Sequence, residues 1–488
     1  MRISRCDDRR GVFRVLATLV AVLTPVGFRA QSTPPDASYI SILPGQNIQG
    51  FVNLAPEGAA FLLGGGIHRM QTVSPKNNQV FVGETGAILS GARVVTLSPS
   101  GGAWVASGQT QEGVRRGTVA DGICRSSQPR CGYPEDLFLD DTRLLHVDTL
   151  AAGGPGKWYF DYAADRIYMW DDPTGKRVEA SVTAAAFTNS GTGVTIRSLI
   201  VEKYATPTQT GAVTLGRASV IEDSEVRWNH AWGIRSMSQS VVRRSHAHHH
   251  GGLGFAGSGE DILVEDSETS YNGGLYHPFW ESGGSKWAFT RNLIVRRNVS
   301  HHNFGPGLWT DIDNYFALYE DNLVEDNDRG GIFHEISFDA VIRNNTLRRN
   351  GTARDAPGWA TGAGIEVTTS SNVEIYGNTL VDNWQGITGI EDHRVPRVGS
   401  GGWTLANLYV HHNTITTTAN LAGGGRSGVA ETSGRQAAFS EAANNRYDFN
   451  TYYLGAAQRY FFWLGADRDE HQWRSYGQDV NGAFRRAQ

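Results

Sequence analysis

A polar residue returns at a fixed interval of about 21 to 24 positions through the second half of the chain, wherever no insertion intervenes, and it returns twice in each interval. The first series is Ser224, Ser245, Ser267, Asn298, Asn322, Asn345, Asn378 and Asn413. Five positions after each stands a second: Asn229, His250, Asn272, Asn303, Asn327, Asn350, Asn383 and, as a weak last member, Thr418. Self-similarity at this period is the signature of a solenoid, whose repeats bury their apolar face only by stacking on one another. Each repeat also carries a short strand that follows a glycine, as in Gly307-Leu308, Gly331-Ile332 and Gly364-Ile365. Short strands with Gly-containing turns, without leucine-rich spacing or propeller-blade signatures, predict an all-β fold, the right-handed parallel β-helix.

A solenoid absorbs most of a 488-residue chain into one elongated body. Residues 1–30 read as an export signal: Arg2, Arg5, Arg9, Arg10 and Arg14 precede an apolar stretch from Val15 to Leu23 that is too short to span a bilayer. Cleavage near Ala30 is expected, which places the protein in the periplasm or outside the cell. No later apolar run is long enough to cross a membrane. Residues 31–37 form a linker, 38–98 an N-terminal cap and first coils, and 99–182 an inserted β-rich subdomain where the ladder is absent. Within it, Lys157–Asp161 and Arg166–Trp170 read as a hairpin. Coils resume over 183–435, and the aromatic segment 436–488 caps the open end.

The whole chain has 44 basic and 49 acidic residues, and loss of six Arg and two Asp with the signal leaves 38 against 47. That balance argues against a nucleic-acid partner. A monomer is expected. Cys6 leaves with the signal, and Cys124 and Cys131 form the close pair expected of a disulfide in an exported chain.

The segments from Gly305 to Asn314 (Gly-Pro-Gly-Leu-Trp-Thr-Asp-Ile-Asp-Asn) and from Gly331 to Ser337 (Gly-Ile-Phe-His-Glu-Ile-Ser) resemble the right-handed parallel β-helix repeats of the pectate-lyase-like superfamily. The resemblance covers residues 39–97 and 190–420. It implies the fold and a choice among polysaccharide lyases, glycoside hydrolases, uronan epimerases and non-enzymatic adhesins. The polygalacturonase motifs are missing, as is the calcium and arginine constellation of pectate lyases, so no catalytic residue is carried over from the family.

Candidate site residues come instead from strand alternation. Leu308, Thr310 and Ile312 are expected to face the core, as are Ile332, His334 and Ile336. Trp309, Asp311 and Asp313, with Phe333 and Glu335, face out. Asp311 and Glu335 fall on neighbouring rungs about 4.8 Å apart, Asp313 about 7 Å along the same face, and Glu366 one coil further on. Lys286, one of five Lys in the chain, stacks beside Trp309. Such a stripe can hold one carboxyl protonated and another ionised, the requirement for general acid and base in one site. A glycosidase needs the pair at about 5–5.5 Å for retention or about 6.5–9.5 Å for inversion, and the spacings here leave both open.

Two long loops, Asn272 to Gly284 and Asn350 to Gly364, leave the same corner and carry His277, Trp280, Glu281 and Trp359. They are expected to wall a cleft over a floor of Trp309 and Phe333, whose rings suit the C–H faces of sugars. His334 is included among catalytic candidates on the chance of a strand twist. The run His246 to His250 reads as turn histidines, and no metal site is assigned.

The leading expectation is an exported enzyme that hydrolyses a polysaccharide through paired carboxylates, without a cofactor. A second reading has the acids hold Ca²⁺ for β-elimination or C5 epimerisation of a uronan, with Lys286 as base. A third is a non-catalytic glycan-binding or structural solenoid.

Overall fold

The computed structural model describes residues 38–487 apart from 354–359, 393, 400–401, 419–423, 433 and 458. The expected signal and linker, and Trp359, lie outside the described residues. Parallel strands stack coil on coil along three faces. One coil runs Leu308–Asp311 on the first face, Tyr315–Glu320 on the second and Leu323–Glu325 on the third; the next runs Ile332–Glu335, Phe338–Arg343 and Thr346–Arg348. Inward side chains align from coil to coil. On the first face Leu308, Ile332, Ile365 and Ile387 follow one another, and on the third Val324, Leu347, Leu380 and Ile415 do so. All are buried, and each such aliphatic side chain contributes roughly 1.5–3 kcal/mol by leaving water.

The polar ladders occupy the corners between faces. Asn327 shows the geometry. Its Oδ1 accepts from the backbone N–H and Nδ2 of Asn303 at 3.1 and 2.9 Å. Its own Nδ2 donates to Ser300 O and Asn350 Oδ1 at 3.1 and 2.9 Å, and its backbone N–H donates to the same Asn350 oxygen at 3.3 Å. The residue before each rung turns the chain through the left-handed region, as at Asp321, Asp326 and Asn344. So tight a corner leaves amides facing along the stack, and the next coil's side chain satisfies them. The glycine that follows is required by close approach: a Cβ on Gly331 would lie 2.6 Å from Gly364 O and 2.9 Å from Asn350 Nδ2.

Three differences from expectation have physical causes. Thr418 does not extend the second ladder, because its N–H and hydroxyl bond Asp382 instead. The first ladder continues past Asn413 through Asn450 to Asp479. The strands Arg446–Asp448, Thr451–Leu454 and Ala483–Arg486 add coils, so the solenoid reaches beyond 435 into the expected cap. The end is closed by the helix Glu470–Ser475, whose Trp473 is fully buried and donates to Asp479. A third ladder, Asn314, Ser337 and Ser370, lies at the corner after the Asp311 and Glu335 strands.

The inserted segment forms two small, mostly antiparallel sheets. The expected hairpin is present, with Trp158 opposite Met169 and Asp161 opposite Arg166. Trp158, Phe160, Ile167 and Met169 supply its separate core. Cys124 and Cys131 are disulfide-bonded. Among the described residues no helix is long and apolar enough to cross a membrane.

Replacing Asn327 by Ala strands a buried amide on Asn303 and a carbonyl on Ser300. We expect a loss of about 2–4 kcal/mol, read as a lower denaturant midpoint at unchanged slope.

Candidate active site

Register brings the expected groups together. Trp309 pairs with Phe333 and Asp311 with Glu335, and Phe333 in turn pairs with Glu366. The outward face of three successive coils therefore presents Trp309, Phe333 and Glu366 in one column, with Asp311 and Glu335 in the next. Trp287 pairs with Thr310, which sets Lys286 beside Trp309, and its Nζ lies 3.9 Å from the centroid of the Trp309 ring. The Trp309 and Phe333 rings stack at 5.3 Å.

These side chains point outward yet are nearly sealed: Trp309 is 1 % exposed and Asp311, Glu335 and Glu366 are 7–8 % exposed. Burial sets their chemistry. Lys286 donates to Asp311 Oδ2 at 2.9 Å and to Trp280 O at 2.7 Å, and lies 3.8 Å from Glu281 Oε1. Although burial opposes its charge, Asp311 and Glu281 hold its pKa above the usual range, so Lys286 is a cation. Burial, then the Asp311 charge, pushes Glu335 up to about 7, against the pull of Arg394, Lys286 and the Trp309 indole. Arg394 Nη2 donates to Glu335 Oε1 at 2.7 Å. Burial, then Glu335, pushes Glu366 well above the carboxylate range, leaving a neutral acid. Burial likewise raises Glu281, whose Oε1 accepts from Gln209 Nε2 at 2.9 Å. Trp309 Nε1 is buried beside Glu335, out of line for a full hydrogen bond.

The loop that carries Trp280 and Glu281 is clamped by the inserted subdomain. Cys124 bridges to Tyr276, and Arg125 Nε donates to Gly273 O and Tyr276 O at 3.2 and 3.0 Å. His277 lies on the exposed side of this loop, against Phe279.

Two expectations fail on backbone geometry. Ile312 and Asp313 do not continue the strand; both adopt left-handed φ, 64° and 53°, because the chain turns into the Asn314 corner. Ile312 is thus half-buried rather than a core residue, and Asp313 leaves the outward stripe to accept from Trp403 Nε1 at 2.9 Å. His334 faces inward as expected, is fully buried, and bonds Thr310 Oγ1 at 2.7 Å. Burial drops its pKa to about 3, and enclosed within the coil it takes no part in chemistry on the outer face. Arg394, Trp403 and Gln209 carried no sequence signal, since each reaches the site from a loop remote in the chain. A groove of about 950 Å³ lies at another corner, among ion pairs such as Arg244 with Asp223 and Arg297 with Asp266, away from these carboxylates.

Residues 184–380 match the family model for the right handed beta helix region. Among solved structures, the complex of XylC with xylose superposes with a TM-score of 0.65 at 13 % identity, over 90 % of this chain and 82 % of that one. The A-module of the Azotobacter vinelandii mannuronan C-5 epimerase AlgE4 superposes with a TM-score of 0.52 at 13 % identity, over 86 % of this chain and 93 % of that one. No curated protein matches by sequence. The chain is a right-handed parallel β-helix, and the match over residues 184–380 accords with that fold.

Because the folded Glu335 keeps its proton to a higher pH than an unfolded one, the contribution of this group to stability is full below about pH 4.5 and is lost as pH rises through about 7. Glu335→Gln removes that titration. The variant should show a smaller fall in melting temperature between pH 5 and 8 than the parent protein, measured by calorimetry.

Proposed function

We propose that this chain is an exported carbohydrate-active enzyme that hydrolyses glycosidic bonds, with Glu335 as general acid and Asp311 as nucleophile. The carrying observation is the environment of two carboxylates on adjacent rungs: one is ion-paired to Lys286 and the other is pushed to about 7. A proton donor near neutral pH beside an anion is the division of labour that glycoside cleavage requires. Adjacent rungs stand about 4.8 Å apart, which favours the short carboxylate separation of retaining enzymes. Asp311 attacks the anomeric carbon as Glu335 protonates the departing oxygen; Glu335, now ionised, then takes a proton from the water that releases the sugar. Glu366, neutral, supplies a hydrogen bond to a sugar oxygen. The Trp309 and Phe333 rings, stacked on one another and nearly sealed, pack the base of the site beneath the carboxylates, and Trp280 and Glu281 form a wall. Two solved structures that share the fold, the XylC complex with xylose and the mannuronan epimerase module, accord with a carbohydrate ligand.

The second reading, Ca²⁺-assisted elimination or epimerisation with Lys286 as base, is less well supported. Lys286 is held protonated by its acidic neighbours, the opposite of what a base needs. Glu366 and, below about pH 7, Glu335 are neutral, which leaves little charge to attract a dication. The Arg-rich leader of residues 1–30 supports export to the periplasm or beyond, and a monomer satisfies the stacking of every described coil.

Purified protein should be offered a panel of neutral and acidic polysaccharides and oligosaccharides, with and without calcium. Release of reducing ends with unchanged ultraviolet absorbance is expected. Asp311→Asn and Glu335→Gln should each lower kcat by at least about 10²-fold. Full activity in both would remove this assignment; an unsaturated uronyl product would favour the second reading, and binding without turnover a non-catalytic role. As general acid, Glu335 must hold its proton, so kcat should fall as pH rises through about 7. Lys286→Met removes a charge that lowers the Glu335 pKa and should move that alkaline limb upward.

A further inference from the structure

A second polar site lies behind the loop that carries Trp280, between the inserted subdomain and the solenoid. It is a cavity of about 210 Å³ lined by Arg130, Asp136, Arg143, His146, His230 and Leu275, among others. That volume is the liquid share of about seven water molecules, enough for one ring-sized solute. Exposed Gly156 and half-buried Gln128 belong to its lining and give it a mouth.

Its polar groups are partly spoken for. Asp136 Oδ1 meets His230 Nδ1 at 3.2 Å, and His230 Nε2 meets Cys131 O at 2.7 Å. Arg143 Nε is 3.3 Å from Asp136 Oδ2, out of line for a hydrogen bond, while Arg143 Nη2 donates to Asn229 O at 3.0 Å. Arg130 packs over Tyr133 at 4.2 Å and donates to Asp148 O. What remains meets no polar protein atom. Both ring nitrogens of His146 are buried without a partner, and so is Arg130 Nε. His146 is 8 % exposed and stacks on Trp158 at 4.0 Å, so its ring is fixed with its edge unused. Burial, then Arg130, holds it neutral, with one N–H to donate and one lone pair to accept. Left unpaired, groups of this kind cost about 1–3 kcal/mol each, so water or a polar solute meets them in the cavity.

Two guanidinium groups against one carboxylate leave the cavity with a surplus positive charge. The two His146 nitrogens ask for a donor and an acceptor on the same solute. We propose that this cavity binds one small carboxylate anion bearing hydroxyl groups, no larger than a single sugar ring. The carboxylate faces Arg130 and Arg143, and a hydroxyl bridges to His146. The site does not depend on the hydrolytic reading of the outer face.

Titration calorimetry of the full chain with D-glucuronate, D-glucose and inorganic phosphate as probes tests this. One glucuronate per chain is expected at millimolar concentration, with glucose taken up at least tenfold more weakly. Arg130→Met should weaken glucuronate uptake by at least about tenfold, the worth of one charge-assisted hydrogen bond, and His146→Phe, which keeps the stack on Trp158, by at least about threefold, the worth of a neutral one. Lys286→Met, at the outer site, should leave it unchanged. Melting curves establish that the variants are folded; if His146→Phe is not, Arg130→Met decides. Absence of glucuronate uptake, uptake unaffected by Arg130→Met, loss of uptake in Lys286→Met, or binding of phosphate in preference to glucuronate would each overturn the proposal.

Discussion

Everything in this molecule rests on the side-chain amide that caps a backbone N–H of the coil before it. The corners at Asn322, Asn327 and Asn345 are so tight that a single left-handed residue makes the turn, and the amides there are met from the next coil. A side chain from the next coil reaches them and passes its own amide on, as Asn303, Asn327 and Asn350 do in series. A slip of one residue would break every link, so the ladders lock the register as well as stabilising it. The third ladder, Asn314 to Ser337 to Ser370, follows directly on the strands that bear Asp311 and Glu335. The adjacency of those carboxylates is therefore a consequence of corner chemistry.

The same geometry explains why acids and aromatics can share a face without dissolving the fold. Outward residues on a stacked sheet lie rung beside rung, so charge either repeats or must be answered. Here it is answered by Lys286, which meets Asp311, Glu281 and the face of Trp309 at once. Arg394 answers Glu335 from a remote loop. Elsewhere on the surface the answers are simple arginine ladders such as Arg244 with Asp223. The difference at Glu335 and Glu366 is desolvation: neither finds enough positive charge to offset burial, and both rise. That imbalance is the feature on which the proposed catalytic role draws.

The inserted subdomain acts on this site through the loop it holds. Its disulfide segment pairs with Tyr276, and Arg125 grips two carbonyls of the loop. A rigid wall of this kind restrains Trp280 and Glu281 in place, at less entropic cost when a ligand arrives. The cysteine pair was legible as a disulfide; its use as a clamp 150 residues away was not, since nothing local to Cys124 refers to Tyr276.

Residue order alone determined the coil period, the ladder positions, the alternation that sends Trp309, Asp311 and Glu335 outward and His334 inward, and the pairing of Asp311 with Glu335. These follow from periodicity, which is a local property repeated. It did not reveal that the strand stops at Asp311, because the Asn314 ladder runs through unlike residues, Thr290, Ser337 and Ser370, and its spacing is broken by an insertion. Tertiary structure alone decided that the outward stripe is sealed, that Arg394 and Gln209 reach it, that Trp403 holds Asp313 away from it, and that burial raises Glu335. Those outcomes depend on desolvation and on loops whose paths no period governs, and such quantities exist only once distant parts of the chain have met.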